Sequence, residues 1–217
     1  MLVLAAVPPW RDPAHPPVEG DTANRLRLFF DLEAVHWTGA IAPNPETGTV
    51  TIKNGGAGVF GYKRAAVGFG LAWGLTDWIT LGARGEFAVY PDRDTQGNSG
   101  IVRGGSFAPF AELMFARSRH VRPFALLRAG IGGAAAFRHK SGTWQGEVSR
   151  TIVPFVGIGV GTHAFVSEDV SFDVALTLDY KWNMRARPDA PPETFGRWTV
   201  SDSRLVAALI VGFSRWF

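Results

Sequence analysis

The sequence has no cysteine, which excludes disulfides, thiolate metal sites and thiol nucleophiles. It is also poor in charge. Only 19% of its 217 residues are charged, against about 25% in an average soluble domain. No apolar run approaches the ~20 residues that a membrane helix needs, so a helical span is excluded. A long basic run is absent too, and the 22 basic and 19 acidic residues nearly cancel. Nucleic acid therefore has no electrostatic footprint to bind.

What remains is glycine and aromatics: 26 Gly, 16 Phe and 8 Trp. This suits a strand-rich chain in an unusual solvent, because strands that alternate apolar and small residues escape hydropathy windows. Residues 1–24 stand apart. Met1 to Val7 is a short apolar stretch without the basic flank of a secretory signal, and Pro8, Pro9, Pro13, Pro16 and Pro17 follow. The segment reads either as a signal remnant or as a disordered tail. Residues 25–217 form the domain.

From Arg25 onward one theme repeats. Eight runs alternate with a period of two: 25–38, 58–73, 78–91, 102–116, 122–138, 151–165, 170–185 and 203–217. In the seventh, Val170, Phe172, Val174, Leu176, Leu178, Tyr180 and Trp182 share a face, opposite Ser171, Asp173, Ala175, Thr177, Asp179 and Lys181. A period of two predicts strands with side chains on alternate faces. Gly157, Gly159 and Gly161 within one run disfavour a helix by about 1 kcal/mol each. Tight connections at 74–77, 117–121 and 166–169 alternate with longer ones at 39–57, 92–101, 139–150 and 186–202. Short turns at one end and long loops at the other predict an eight-stranded antiparallel up-and-down transmembrane β-barrel.

Alternation alone also fits a soluble barrel with its apolar face inside. Three features choose the membrane. The polar face is crowded with Ala66, Gly68, Gly70, Ala72, Gly130, Gly132 and Ala134, as a narrow interior requires. Its charges balance: Arg27, Arg64, Arg84, Arg128 and Lys181 against Asp31, Glu33, Glu86, Glu112, Asp173 and Asp179. A confined interior demands such pairing because an isolated buried charge is costly. Large aromatics gather near strand ends as two girdles: Trp73, Phe115 and Phe217 at the short turns, Phe137, Tyr180 and Trp182 at the long loops. His36 is expected on the apolar face, beside the first loop.

The last run ends on Phe217, with Phe213, Val211, Leu209, Ala207 and Leu205 alternating upstream. This resembles the C-terminal signal of bacterial outer-membrane proteins, with Phe213 and Phe217 as its aromatic positions. Arg215 departs from that pattern. With eight strands and alternating connection lengths, residues 25–217 resemble the small OmpA/OmpX-type barrels. The resemblance implies a Gram-negative outer membrane, periplasmic termini, lipid and lipopolysaccharide as surroundings, and the barrel assembly machinery as a partner in biogenesis. It implies no catalytic signature and no cofactor.

Two constellations have the residue types of a hydrolase. His163, Ser171 and Ser214 are expected at similar depth on the polar face; the plainer reading is a hydrogen-bonded interior histidine. His139, Ser141 and Glu147 fall in the third long loop and read equally as solvated residues. No histidines have metal-ligand spacing. The expected function is non-enzymatic: a structural or surface-interaction barrel, whose interior is plugged and whose loops, with Trp144, Trp198, Pro191 and Pro192, meet a partner. A narrow channel for small or hydrophobic solutes and a lipid A-modifying enzyme are the alternatives.

Overall fold

A computed structural model describes residues 22–43, 50–60, 63–93, 99–115, 120–140, 143–186 and 198–217. Its strands are β1 (Leu26–Pro43), β2 (Val50–Phe60), β3 (Lys63–Gly74), β4 (Ile79–Arg93), β5 (Ser99–Met114), β6 (Val121–Lys140), β7 (Thr143–Phe165), β8 (Val170–Ala186) and β9 (Trp198–Trp216). They form one closed barrel in chain order. β2 and β3 face the same neighbour in succession. β1 pairs with β3 over Leu26–Leu32 and with β2 over Val35–Pro43. The two therefore act as one stave, and the wall has eight. Among the described residues pairing is antiparallel, apart from a two-pair parallel contact where the chain steps from β2 to β3.

The barrel closes between β1 and β9, with Phe30 opposite Phe213. Leu26 and Phe217 exchange both backbone hydrogen bonds. Thr22 to Arg25 are tied to the same end: Asn24 N–H donates to Gly74 O at 2.7 Å, and Ala23 N–H to Asp77 Oδ1 at 3.3 Å. The remainder of the expected tail, residues 1–21, lies outside the described residues.

Every stave presents apolar side chains outward. Leu28 and Phe30 do so on β1, Phe69 and Leu71 on β3, Leu81 and Phe87 on β4, and Phe107 and Leu113 on β5. Leu127 and Ile131 on β6, Ile158 and Val160 on β7, Leu176 and Leu178 on β8, and Phe213 on β9 complete the belt. Leu127 is 63% exposed and Phe69 60%. In water each such side chain would forgo about 1.5–3 kcal/mol of burial. In lipid it forgoes nothing, so the belt fits a transmembrane barrel. The inward face is the polar one, as the alternation predicts.

Two expectations change. The strands run further than predicted on the long-loop side. β6 reaches Lys140 and β7 begins at Thr143, so most of 139–150 is strand; likewise β1 runs to Pro43 and β2 starts at Val50. β4 has 15 residues and β7 has 23, against about 9–11 for a tilted span. Near the long loops the sequence itself loses its apolar–polar alternation, as in Arg138-His139-Lys140 and Gln145-Gly146-Glu147, while ladder pairing continues regardless of propensity. His36 also points inward rather than onto the apolar face. The register slips between Glu33 and Val35, leaving Ala34 unpaired. This bulge exchanges the two faces: Val35 is exposed outward, and His36 and Thr38 line the lumen. A single inserted residue has that effect because the side-chain period is two.

Candidate functional site: the charged interior

The interior is layered. At the short-turn end Met114, Phe124, Phe165 and Trp216 form an apolar cluster. Trp216 is fully buried, and its indole Nε1–H donates to Ser171 Oγ at 3.0 Å. Arg25 closes this end. Its guanidinium donates to Glu168 O at 2.8 Å, Asp169 Oδ1 at 2.7 Å and Trp216 O at 2.9 Å.

The next layer centres on His163, buried on β7 and stacked on Phe124 with centroids 4.5 Å apart. Arg27 donates to Glu112 Oε1 at 2.8 Å and to His163 Nε2 at 2.8 Å. His163 Nδ1 lies 2.8 Å from Asp173 Oδ1. Asp173 also accepts from Ser171 Oγ at 2.7 Å and from Ser214 Oγ. Arginine only donates and a carboxylate only accepts, so these bonds fit the Nδ1–H tautomer. The Arg27 guanidinium is walled by rings, lying 4.9 Å from the Phe29 centroid and 5.2 Å from that of Trp216.

The expected proximity of His163, Ser171 and Ser214 is thus present, but its chemistry is that of a plug. A serine nucleophile requires its hydroxyl on the histidine nitrogen opposite the carboxylate. Here that nitrogen faces Arg27, and both serines face Asp173. The side chains of His139 and Glu147, and Ser141 as a whole, lie outside the described residues, as do Pro191, Pro192 and the side chains of Trp144 and Trp198.

Above His163 come two arginine–aspartate pairs. Arg84 grips Asp31 through Nε at 2.9 Å and Nη2 at 2.6 Å, and reaches Glu86 at 2.6 Å through Nη1. Arg128 grips Asp179 through Nε and Nη2, both at 2.9 Å, and donates to Thr177 Oγ1 at 3.1 Å. Lys181 Nζ lies 3.4 Å from Asp179 and over the Phe155 ring at 5.2 Å. Glu33 lies 3.4 Å from His36 Nδ1. Of the expected interior charges, only the Arg64 side chain lies outside the described residues. Their ordering into discrete bidentate pairs is invisible to a sequence pattern.

A void of about 60 Å³ lies between the His163 layer and these pairs, bounded by Arg27, Asp31, Arg84, Glu112, Arg128 and His163. On the long-loop side of the pairs is a larger vestibule of about 250 Å³. Gly104, Ser106, Gly132 and Ala134 leave its β5–β6 wall bare, while His36, Thr38, Glu86, Lys181, Asn183 and Arg204 supply polar groups. Arg204 points inward like Val206, yet its side chain is 50% exposed. The lumen therefore opens to solvent at that height.

Of the residues expected in the girdles, Phe115 is exposed near the short turns, and Trp73 and Phe217 are half-buried there. Tyr180 and Trp182 meet edge to face at 4.7 Å. Arg103 covers Phe137 at 5.4 Å, and Arg215, the departure in the terminal strand, lies 5.1 Å from the Phe217 centroid. Leu75 and Trp78 are also exposed at this end; Leu75 falls in a connection, and Trp78, which heads the third alternating run, lies in the bend before β4 and so escapes the alternation.

No family model and no curated relative matches the chain. Solved structures do. The attachment invasion locus protein Ail of Yersinia pestis is 11% identical, covering 90% of this chain and 99% of its own, with a TM-score of 0.45. Neisserial surface protein A is 12% identical over 88% and 97%, with a TM-score of 0.48. The outer membrane protein OprG of Pseudomonas aeruginosa is 11% identical over 92% and 99%, with a TM-score of 0.47. At such identities and TM-scores the likeness extends to neither ligand nor role. The small eight-stranded transmembrane barrel itself is defined by this chain's own register and outward apolar belt.

Proposed function

We propose that this chain is an integral outer-membrane protein of a Gram-negative bacterium, with both termini periplasmic, that works as a closed, non-enzymatic anchor for its extracellular strand ends and loops. Lipid and lipopolysaccharide surround it, the barrel assembly machinery inserts it, and the connections within 39–57, 92–101, 139–150 and 186–202 meet a surface partner. The observation that carries the reading is the filled short-turn end, where Trp216, Met114, Phe124 and the Arg25 bridge occupy the lumen. Eight staves leave room for side chains and little else.

A narrow channel is the second reading. It is favoured by the small void directly beneath the vestibule, which is large enough for water. Conductance separates the two. Purified protein in planar bilayers is expected to stay silent, with heat-modifiable gel mobility confirming the folded barrel. Discrete openings from heat-modifiable protein would overturn the anchor in favour of the channel.

A further inference from the structure

Glycines of the barrel wall make room for a neighbour. On the inner face a β-carbon at Gly68 or Gly70 would overlap Asp31 or the Ala83 carbonyl. On the outer face Gly85 is covered by the Phe69 ring, 3.1 Å from where its β-carbon would stand. Gly105 and Gly133 differ from both. They pair directly, face outward and are exposed. A β-carbon at Gly133 would meet only Thr151 O, at 3.7 Å, and one at Gly105 only Glu86 O, at 3.2 Å. Among the described residues, no side chain fills the place that these two glycines leave empty. Glycine inside a strand weakens it, and it marks places where a ligand or another backbone approaches closely.

The gap has a volume of about 290 Å³, and Phe87, Arg103, Gly105, Gly133 and Ile152 are among its lining. Phe87, Gly105, Gly133 and Ile152 form one cross-strand row, so the bare stretch is two strands wide, about 10 Å. Phe107 and Ile131 bound it toward the middle of the belt, and Arg103 with the small Ala135 bounds it on the long-loop side. Its depth follows from Leu127, midway along the outward apolar stretch of β6. Gly133 lies further along the same strand by about 20 Å, or about 15 Å of height at a tilt of about 40°. That is the edge of a hydrocarbon core about 30 Å thick. Arg103 is one outward row beyond, at headgroup level. Its guanidinium lies over the Phe137 ring at 5.4 Å. Among the described residues, Arg103 forms no salt bridge.

We propose that this gap seats a phosphorylated lipid, with the acyl segment nearest its headgroup on Gly105 and Gly133 and its phosphate on Arg103. An apolar hollow at the edge of the hydrocarbon, with a cation just beyond it, repeats the order of groups along such a lipid. A guanidinium meets a phosphate through two parallel N–H bonds, and the ring contact holds the cation in place. Left empty, the hollow would deprive its lining of dispersion contacts; the chain supplies them. The seat rests on the outer-membrane reading, since the gap must face lipid. It does not rest on a closed lumen, because a conducting barrel would carry the same seat.

Native mass spectrometry of the full chain in a nonionic detergent tests this. The probes are dioleoyl phosphatidic acid, dioleoylglycerol, which lacks the phosphate, and glycerol 3-phosphate, which lacks the chains. Phosphatidic acid is expected to bind about tenfold tighter than either control. Arg103→Gln is expected to weaken it about tenfold. Gly133→Leu fills the gap from a position with room for the side chain, and is expected to weaken it about fivefold. Arg215→Gln removes the other ring-stacked arginine of the outer face and is expected to change it by less than about twofold. Equal affinity for phosphatidic acid and either control overturns the proposal in the wild-type chain alone. So does binding that survives Gly133→Leu, or that falls as far with Arg215→Gln as with Arg103→Gln, in heat-modifiable protein. A dimer that Gly133→Leu dissociates would give the gap to a second copy of the chain and overturn the lipid. Wild-type protein without heat-modifiable mobility would instead sink the barrel reading, and the seat with it.

Discussion

Gly157 lies against the Asp179 carboxylate so closely that a β-carbon at position 157 would overlap Oδ1. The glycine and the ion pair are one device: the missing side chain is the space in which Arg128 meets Asp179. Gly157→Val is therefore expected to force the carboxylate off its guanidinium. Overpacking of this kind costs about 1–3 kcal/mol. Urea unfolding of the folded barrel in lipid vesicles, followed by tryptophan fluorescence, reads it. An unchanged midpoint would mean that the pair has room to move.

The same pair predicts an asymmetry between single and double substitutions. Arg128→Met leaves Asp179 buried with only the looser Lys181 contact. Stranding a buried charge costs about 3–5 kcal/mol. Arg128→Met with Asp179→Leu removes both charges and is expected to recover most of that loss. Unfolding free energies of the two variants check it, and equal destabilisation by both would count against a buried pair.

Alternation and composition made the barrel, its inward polar face and the charged residues on that face legible. The depth match of His163, Ser171 and Ser214 was legible too, because antiparallel register follows from turn positions. Three things were not. The bulge at Ala34 leaves no local mark, yet it turns His36 inward. The strand ends near the long loops carry no alternation, so β6 and β7 extend past the runs 122–138 and 151–165 that the pattern marks. Partner choice among interior ions depends on stave order and height. Nothing in Arg84 and Arg128 as letters says that one answers Asp31 and the other Asp179.

Ser171 joins two layers, accepting from Trp216 Nε1 and donating to Asp173. Ser171→Ala would leave the buried indole N–H without that acceptor, at a cost of about 1–3 kcal/mol. The variant is expected to unfold at lower urea concentration. Hydrolysis of a short-chain nitrophenyl ester is expected to sit at background for both proteins, since neither serine touches the histidine ring. An esterase activity lost with Ser171→Ala would replace the plug with a nucleophile.

The outward belt predicts position-dependent tolerance of charge. Leu127 stands midway between Val121 and Ile131, the outward apolar stretch of β6. Leu127→Arg therefore places a guanidinium near the middle of the bilayer, where the cost is about 2–4 kcal/mol. Val166 is equally apolar and even more exposed at 69%, but it sits in the turn between β7 and β8. There Val166→Arg reaches the interface, at a cost of about 0–1 kcal/mol. In a water-soluble barrel the ranking would vanish, since both arginines would be solvated. Unfolding free energies in vesicles of matched thickness separate the cases: a gap of at least about 1 kcal/mol between the variants is expected, and its absence would remove the belt from the bilayer.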